Sequence, residues 1–174
     1  SSGLNADIAT SLSTDGDWLV IGHPNQGVSI LDLQSGSVDQ TWSNSNGLDT
    51  NRINDVAILD DIAYLAQDEG GISRIDIVNQ TELSPWRSTG VDQVQEAPIV
   101  VTGNILYMGL YGYGVIRKNL QTGQFLETWS NGQLPSLNIF SLDVDSSGHI
   151  WIGTQGGARV WDGQNMNNVN SGNV

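Results

Sequence analysis

The stretch GHIWIGTQGGARVWDG, residues 148–163, decides how this chain is read. It holds a short apolar run, a paired-glycine turn, a second short apolar run and an Asp-Gly turn. A phosphate loop of the Walker type would need Gly-Lys-Ser/Thr and a helix starting behind it; neither follows. A nucleophile elbow would need Gly-x-Ser-x-Gly, which is absent. What remains is a strand–turn–strand unit, and the question becomes whether the chain repeats it.

It does. Gly27, Gly71, Gly114 and Gly157 recur every 43 or 44 residues. Trp42, Trp86 and Trp129 keep the same interval, and so do Asp32, Asp76, Asn119 and Asp162. Three independent markers with one period divide a single domain, 1–174, into units at about 3–46, 47–90, 91–133 and 134–174. Each unit carries the same succession of short apolar runs. The second run reads DWLVIG, IAYLAQ, ILYMGL or HIWIGT; the third reads GVSILDL, GISRIDI, GVIRKNL or GARVWD. The fourth run is VDQTWS, TELSPWR or FLETWS, and only the weak NMNNVN in the last unit. No window places apolar residues at i, i+3, i+4 and i+7 over three turns, so helix is not expected. Four short strands per repeat of this length predict an all-β fold: a β-propeller of four four-stranded antiparallel blades.

At the level of residues, LPSLNIFSLDVDSSGHIWIGTQGGARVWDG (134–163) resembles the two-component regulator propeller repeat. That repeat has an LPSN-like opening, an apolar strand, a D-x-x-G turn, LWIGT, a paired-glycine turn and an aromatic-Asp pair. Residues 3–32 match more loosely, and the two middle units have diverged: ILDDIAYLAQ lacks the glycine turn and YMGLYGYG stands for WIGTQGG. The resemblance implies a propeller, an extracytoplasmic, secreted or cell-surface setting and a sensing role. It carries no catalytic residues to transfer.

The ends favour a partial propeller or half-ring over a closed four-bladed ring. Blades bury their faces on one another, so an end blade lacking a neighbour exposes apolar surface. SSGL (1–4) sits where SNGL (45–48) does one unit later, and Gly172 occupies the register of the missing fourth tryptophan. Two copies joining as a homodimer would complete an eight-bladed ring.

Composition narrows the function. Six Lys and Arg against nineteen Asp and Glu leave a net charge of −13. Nucleic acid is a poor partner, because displacing phosphate counterions takes cationic groups. An anionic membrane surface is disfavoured for the same reason. No apolar run is long enough to insert into a membrane, and SSGLNADIAT has neither the positive region nor the apolar core of a signal peptide. With no cysteine, disulfides and thiolate sites are excluded.

Few side chains suggest chemistry, and no catalytic residues are expected. Asp143, Asp145 and Ser147 before Gly148 start a calcium-loop spacing, but Thr154 stands where the closing Glu belongs. A hairpin turn uses the same residue types, so no cofactor is expected, with calcium the one alternative. His23 precedes Pro24 and His149 leads a strand; neither has metal-ligand spacing. Asp60 and Asp61 read as a strand end with side chains on opposite faces. Asn79-Gln80-Thr81 fits a glycosylation acceptor. One aromatic and basic cluster stands out: Tyr107, Tyr111, Tyr113, Arg117 and Lys118. Its tyrosines at 111 and 113 replace small or polar turn residues of the other units, as a recognition surface for protein, peptide or glycan would. Packing against the next blade is the competing reading. The expectation is a non-enzymatic binding module for ligand sensing or protein–protein interaction. The alternative is a propeller enzyme, a lyase or glycan-active protein, with its site at the central opening. The first strands offer that alternative little beyond Asp55 and Arg52.

Overall fold

The computed structural model describes residues 3–68, 71–86 and 97–169. The expected boundary at 90/91 and Gly172 lie outside them. Within the described residues there is no helix. The chain divides into two compact units, Ser1–Gln95 and Glu96–Val174.

In the first unit, β1 (Ser11–Thr14), β2 (Trp18–His23), β3 (Gly27–Asp32) and β4 (Ser37–Trp42) form one antiparallel sheet in chain order. A second sheet follows from β5 (Ile53–Leu59), β6 (Ile62–Gln67), β7 (Gly71–Asp76) and β8 (Thr81–Trp86). The second unit repeats the plan. Its third sheet holds β9 (Ile99–Thr102), β10 (Ile105–Leu110) and β11 (Gly114–Asn119), and its fourth holds β12 (Ile139–Val144), β13 (Ile150–Thr154), β14 (Gly157–Trp161) and β15 (Met166–Asn168). Each is a blade of the predicted kind. One detail differs: in the third blade FLETWS attaches to β11 only through the bridges Lys118–Phe125 and Val115–Trp129, not as a continuous fourth strand.

Each ruler has a physical cause. Gly27, Gly71, Gly114 and Gly157 all adopt φ between 75° and 118°, a region that costs other L-residues steric strain. They open the third strand of each blade after its tight hairpin. At the far end of that strand the Asp or Asn side chain closes an Asx turn. Asp32 Oδ1 accepts from the Gln34 and Ser35 amides at 2.7 and 3.0 Å, and Asp162 Oδ1 from those of Gln164 and Asn165 at 2.9 and 2.7 Å. Asn119 Oδ1 does the same for Gln121 and Thr122, so the oxygen matters to the turn and the charge does not. The second blade solves its first hairpin without glycine: Asp60 and Asp61 take φ of 49° and 61°. They form a two-residue turn with positive φ at both positions, which corrects the reading of this pair as a strand end.

Within the first unit the core comprises Val20, Val28 and Ile30 of the first blade and Ile53, Val56, Ile58, Leu65 and Ile75 of the second. Polar contacts fix the same packing. The Ile58 amide donates to Ser13 Oγ at 3.1 Å, Gln40 Nε2 to the Ile77 carbonyl at 2.7 Å, and Trp18 Nε1 to Asp61 Oδ1 at 3.0 Å.

His23 is not a turn residue. It ends β2 and is fully buried. Its Nδ1 lies 2.7 Å from the Ile8 carbonyl, an acceptor only, so Nδ1 carries the proton. Nε2 then accepts from Ser29 Oγ at 2.9 Å, while Ser29 Oγ accepts from the Asn5 amide. One repeat later Gln67 and Ser73 make the equivalent clasp, with Ser73 Oγ donating to Gln67 Oε1 at 2.6 Å and Gln67 Nε2 to the Thr50 carbonyl at 2.8 Å. In the third blade Leu110 and Ile116 take these places, and the polar pair is exchanged as a set for an apolar one. That is how a buried hydrogen-bonding pair is removed without leaving an orphan.

In the second unit the core gathers Tyr107, Val115 and Trp129 of the third blade with Leu134, Ile139, Ile150 and Ile152. Trp161 packs here as well, its ring centroid 5.2 Å from that of Trp129. Ile150 pairs with Trp161 across β13 and β14. The alternation of a strand thus sends these two toward the third blade and Trp151 and Val160 to the opposite face.

Candidate functional site

The aromatic and basic cluster separates into two groups. Tyr107 and Arg117 pair across β10 and β11, and both sit against Trp129. The Tyr107 ring is 5.4 Å from it, and the Arg117 guanidinium lies 4.6 Å above its centroid. Arg117 Nε and Nη2 also donate to the Glu127 carbonyl at 2.9 and 2.7 Å. The second blade repeats this at Tyr64, Arg74 and Trp86, with Arg74 4.0 Å over the Trp86 ring and bonded to the Ser84 carbonyl. A device found twice at one register, with the tyrosine buried each time, is blade architecture: the Arg closes the rim of the Trp pocket. Burial pushes both phenols above their ordinary range. Lys118 is also committed, donating to the Gly123 carbonyl at 2.6 Å with its ammonium 4.0 Å from the Phe125 ring centroid.

Tyr111 and Tyr113 are placed differently. They flank Gly112 in the β10–β11 turn and are 57% and 52% exposed. Leu137 supports this turn, its carbonyl accepting from both the Gly112 and Gly114 amides at 3.0 Å. Phe140, also 57% exposed, lies with its ring 6.3 Å from that of Tyr111. Phe140 sits at a register shift between Ile139 and Ser141; the extra residue of such a bulge re-aims a side chain. Beside it Asn138 Nδ2 donates to Gln155 Oε1 at 2.6 Å. Sequence reading passed over Phe140. Its signal was a large aromatic directly after Ile139, at the position where the second repeat has Asn54 and the third Ala97.

Of Asp143, Asp145 and Ser147, Asp145 has both carboxylate oxygens engaged within its own turn. Asp145 Oδ1 accepts from the Ser147 and His149 amides at 2.9 and 3.0 Å; its Oδ2 accepts from Trp151 Nε1 at 3.0 Å and lies 3.0 Å from His149 Nδ1. Asp143 is exposed, with Oδ1 on the Val144 amide. Among the described residues no three His, Asp or Glu side chains gather as a metal would need. Asp55 Oδ1 accepts from the Val56 amide, while Arg52 pairs with buried Asp68.

These turns predict an acid response. The Trp151 indole and the turn amides hold Asp145 at about 2, and the Asn165 and Gln164 amides hold Asp162 at about 2, against 3.8 for an ordinary carboxylate. The folded values lie below the unfolded one. Their stabilisation is therefore fully present above the unfolded value and is lost as pH falls through the folded one. The melting temperature should be level above about pH 5 and drop between about pH 4 and about pH 2. Asp162→Asn should fall less steeply over that window, because Asn119 already makes the same turn uncharged. An equally steep fall in the variant would remove Asp162 from the account.

The comparisons with known proteins agree with this geometry. The model for the two-component regulator propeller matches residues 133–156, from the loop before β12 into the β13–β14 turn. No curated protein sequence matches the chain. Among solved structures, the computationally designed Ika4 protein is similar at TM-score 0.68 and 17% identity, over 92% of this chain and 94% of Ika4. The beta-propeller domain of Myceliophteria thermophila Cps50 (Swd1) is similar at TM-score 0.68 and 19% identity, over 87% of this chain and 51% of that one. The extracellular domain of BT4673 from B. thetaiotaomicron is similar at TM-score 0.63 and 23% identity, over 95% of this chain. The chain spans only 23% of that domain's length. The fold is that of a β-propeller, and residues 133–156 match the regulator-propeller repeat.

Proposed function

We propose that this chain is a non-enzymatic binding module acting outside the cytoplasm, and that Tyr111, Phe140 and Tyr113 form its contact surface. The observation that carries the reading is a contrast within the second unit. Tyr107 and Arg117 are spent on packing that the second blade repeats, whereas Tyr111 and Phe140 face solvent as a pair the other repeats lack. Solvent-facing aromatics lose little conformational freedom on binding and offer large apolar area with a polar tip. An extracytoplasmic setting is supported by the regulator-propeller repeat and by the likeness to the extracellular domain of BT4673. The net charge of −13 favours a neutral or cationic protein, peptide or glycan over nucleic acid.

Peptide and glycan arrays probed with the wild type and with a Tyr111→Ala/Phe140→Ala variant test this. A ligand bound by the wild type should lose about tenfold or more in affinity in the variant, the scale of a removed aromatic anchor. A ligand bound equally well by both overturns the assigned surface. Product released from an arrayed glycan would overturn the non-enzymatic reading.

A further inference from the structure

We infer that Asn131 is a site of spontaneous backbone modification: its amide is lost through a cyclic imide with Gly132, while the other Asn-Gly pair, Asn46-Gly47, is protected by the fold. The chemistry is balanced within the chain and water. The Gly132 backbone nitrogen attacks Asn131 Cγ, the Cγ–Nδ2 bond breaks, and ammonia leaves with the amide proton. Water then opens the imide at either carbonyl, giving aspartate or isoaspartate. The reaction is favoured before glycine, whose missing side chain leaves the attacking nitrogen accessible.

The two pairs lie in matching loops, WSNSNGL (42–48) and WSNGQL (129–134). Both asparagines are exposed, so exposure does not separate them. Hydrogen bonding does. Asn46 Oδ1 accepts from the Ser43 amide at 2.6 Å, and Asn46 Nδ2 donates to the Thr41 carbonyl at 2.9 Å. Both ends of its amide are held, and both bonds must break before Cγ can turn to the next nitrogen. In the shorter loop Gln133 has taken over this work, its Oε1 accepting from the Ser130 amide at 3.1 Å. The side chain of Asn131 thereby loses the capping role. Surroundings differ in the same sense. A side-chain carbon built on Gly47 would meet the Trp42 ring at 3.2 Å and the Glu82 carboxylate at 3.4 Å, whereas one on Gly132 would meet nothing within 4 Å. The glycine that would attack is thus open to solvent in the Asn131 loop and enclosed by neighbouring side chains in the Asn46 loop.

The position gives the modification a consequence. The same loop runs on to Leu137, whose carbonyl holds the Gly112 and Gly114 amides under Tyr111 and Tyr113. Isoaspartate at 131 would add a backbone carbon and a negative charge to the segment that supports the exposed aromatics.

The test is incubation of the folded chain at mildly alkaline pH, with timed proteolysis and mass spectrometry of the two Asn-Gly peptides. A parallel sample in concentrated urea supplies the unfolded rates. In urea both pairs should react at similar rates. In the folded chain Asn131 should react about tenfold or more faster than Asn46, two hydrogen bonds standing against the latter. Gly132→Ala should suppress the reaction at 131 and leave that at 46 unchanged. Equal folded rates, or an Asn131 that stays intact while its urea counterpart reacts, would overturn the inference.

Discussion

Trp129→Ala is expected to destabilise the second unit by about 3–5 kcal/mol, the range for truncating a buried large aromatic. Trp129 is 1% exposed, and its ring meets Tyr107 and Trp161 at 5.4 and 5.2 Å between centroids. Its backbone amide and carbonyl also bridge Val115 at 2.9 and 3.0 Å, so the substitution empties a cavity between two blades without removing the chain that crosses it. Arg117 loses the ring beneath its guanidinium, a contact worth about 0.5–2 kcal/mol. Urea unfolding followed by far-ultraviolet circular dichroism measures the total. Trp129→Phe, which refills part of the volume, should recover a substantial share. A loss below about 0.5 kcal/mol for the alanine variant, the size of an ordinary surface change, would show that this tryptophan is not the centre of the unit.

Gly109→Val should be damaging for the opposite reason. The second strand of the third blade passes so close to the fourth that a side-chain carbon on Gly109 would collide with the Ile139 Cγ2 methyl and reach Pro98 at 3.1 Å. Three added carbons must displace a fully buried isoleucine, and overpacking of this kind costs about 1–3 kcal/mol or more. The second blade provides the control. Ala66 holds the equivalent register and is 1% exposed, so a methyl group is already buried there. Ala66→Gly should then cost only about 0.5–1 kcal/mol, from added freedom in the unfolded chain. Melting temperatures of the two variants decide the matter. If the valine at 109 is tolerated as well as the glycine at 66, close blade approach does not explain the glycine.

The architecture was legible because its causes are local and repeated. A positive-φ glycine, an Asx-turn oxygen and a core tryptophan each leave a mark at one position, and a repeat prints that mark several times. The site was legible only in part. Tyr111 and Tyr113 could be singled out because their turn departs from the repeat. Tyr107 and Arg117 recur at the register of Tyr64 and Arg74 one repeat earlier, but the letters alone do not say what that repeated pair packs against, since a tyrosine on a strand reads alike whether its face meets solvent or a neighbouring strand. Nor did the letters show that Asp145 spends its carboxylate on its own turn, or that His23 is buried rather than turning before Pro24.

By itself, then, the sequence determined the repeated strand order, the blade period and the turn chemistry, because these depend on backbone conformation and alternation within a few residues. Only the tertiary structure decided which aromatics are spent on packing and which face water, and which asparagine amide is held. Those outcomes depend on groups brought together from separate strands, by an approach of sheets that no local pattern encodes.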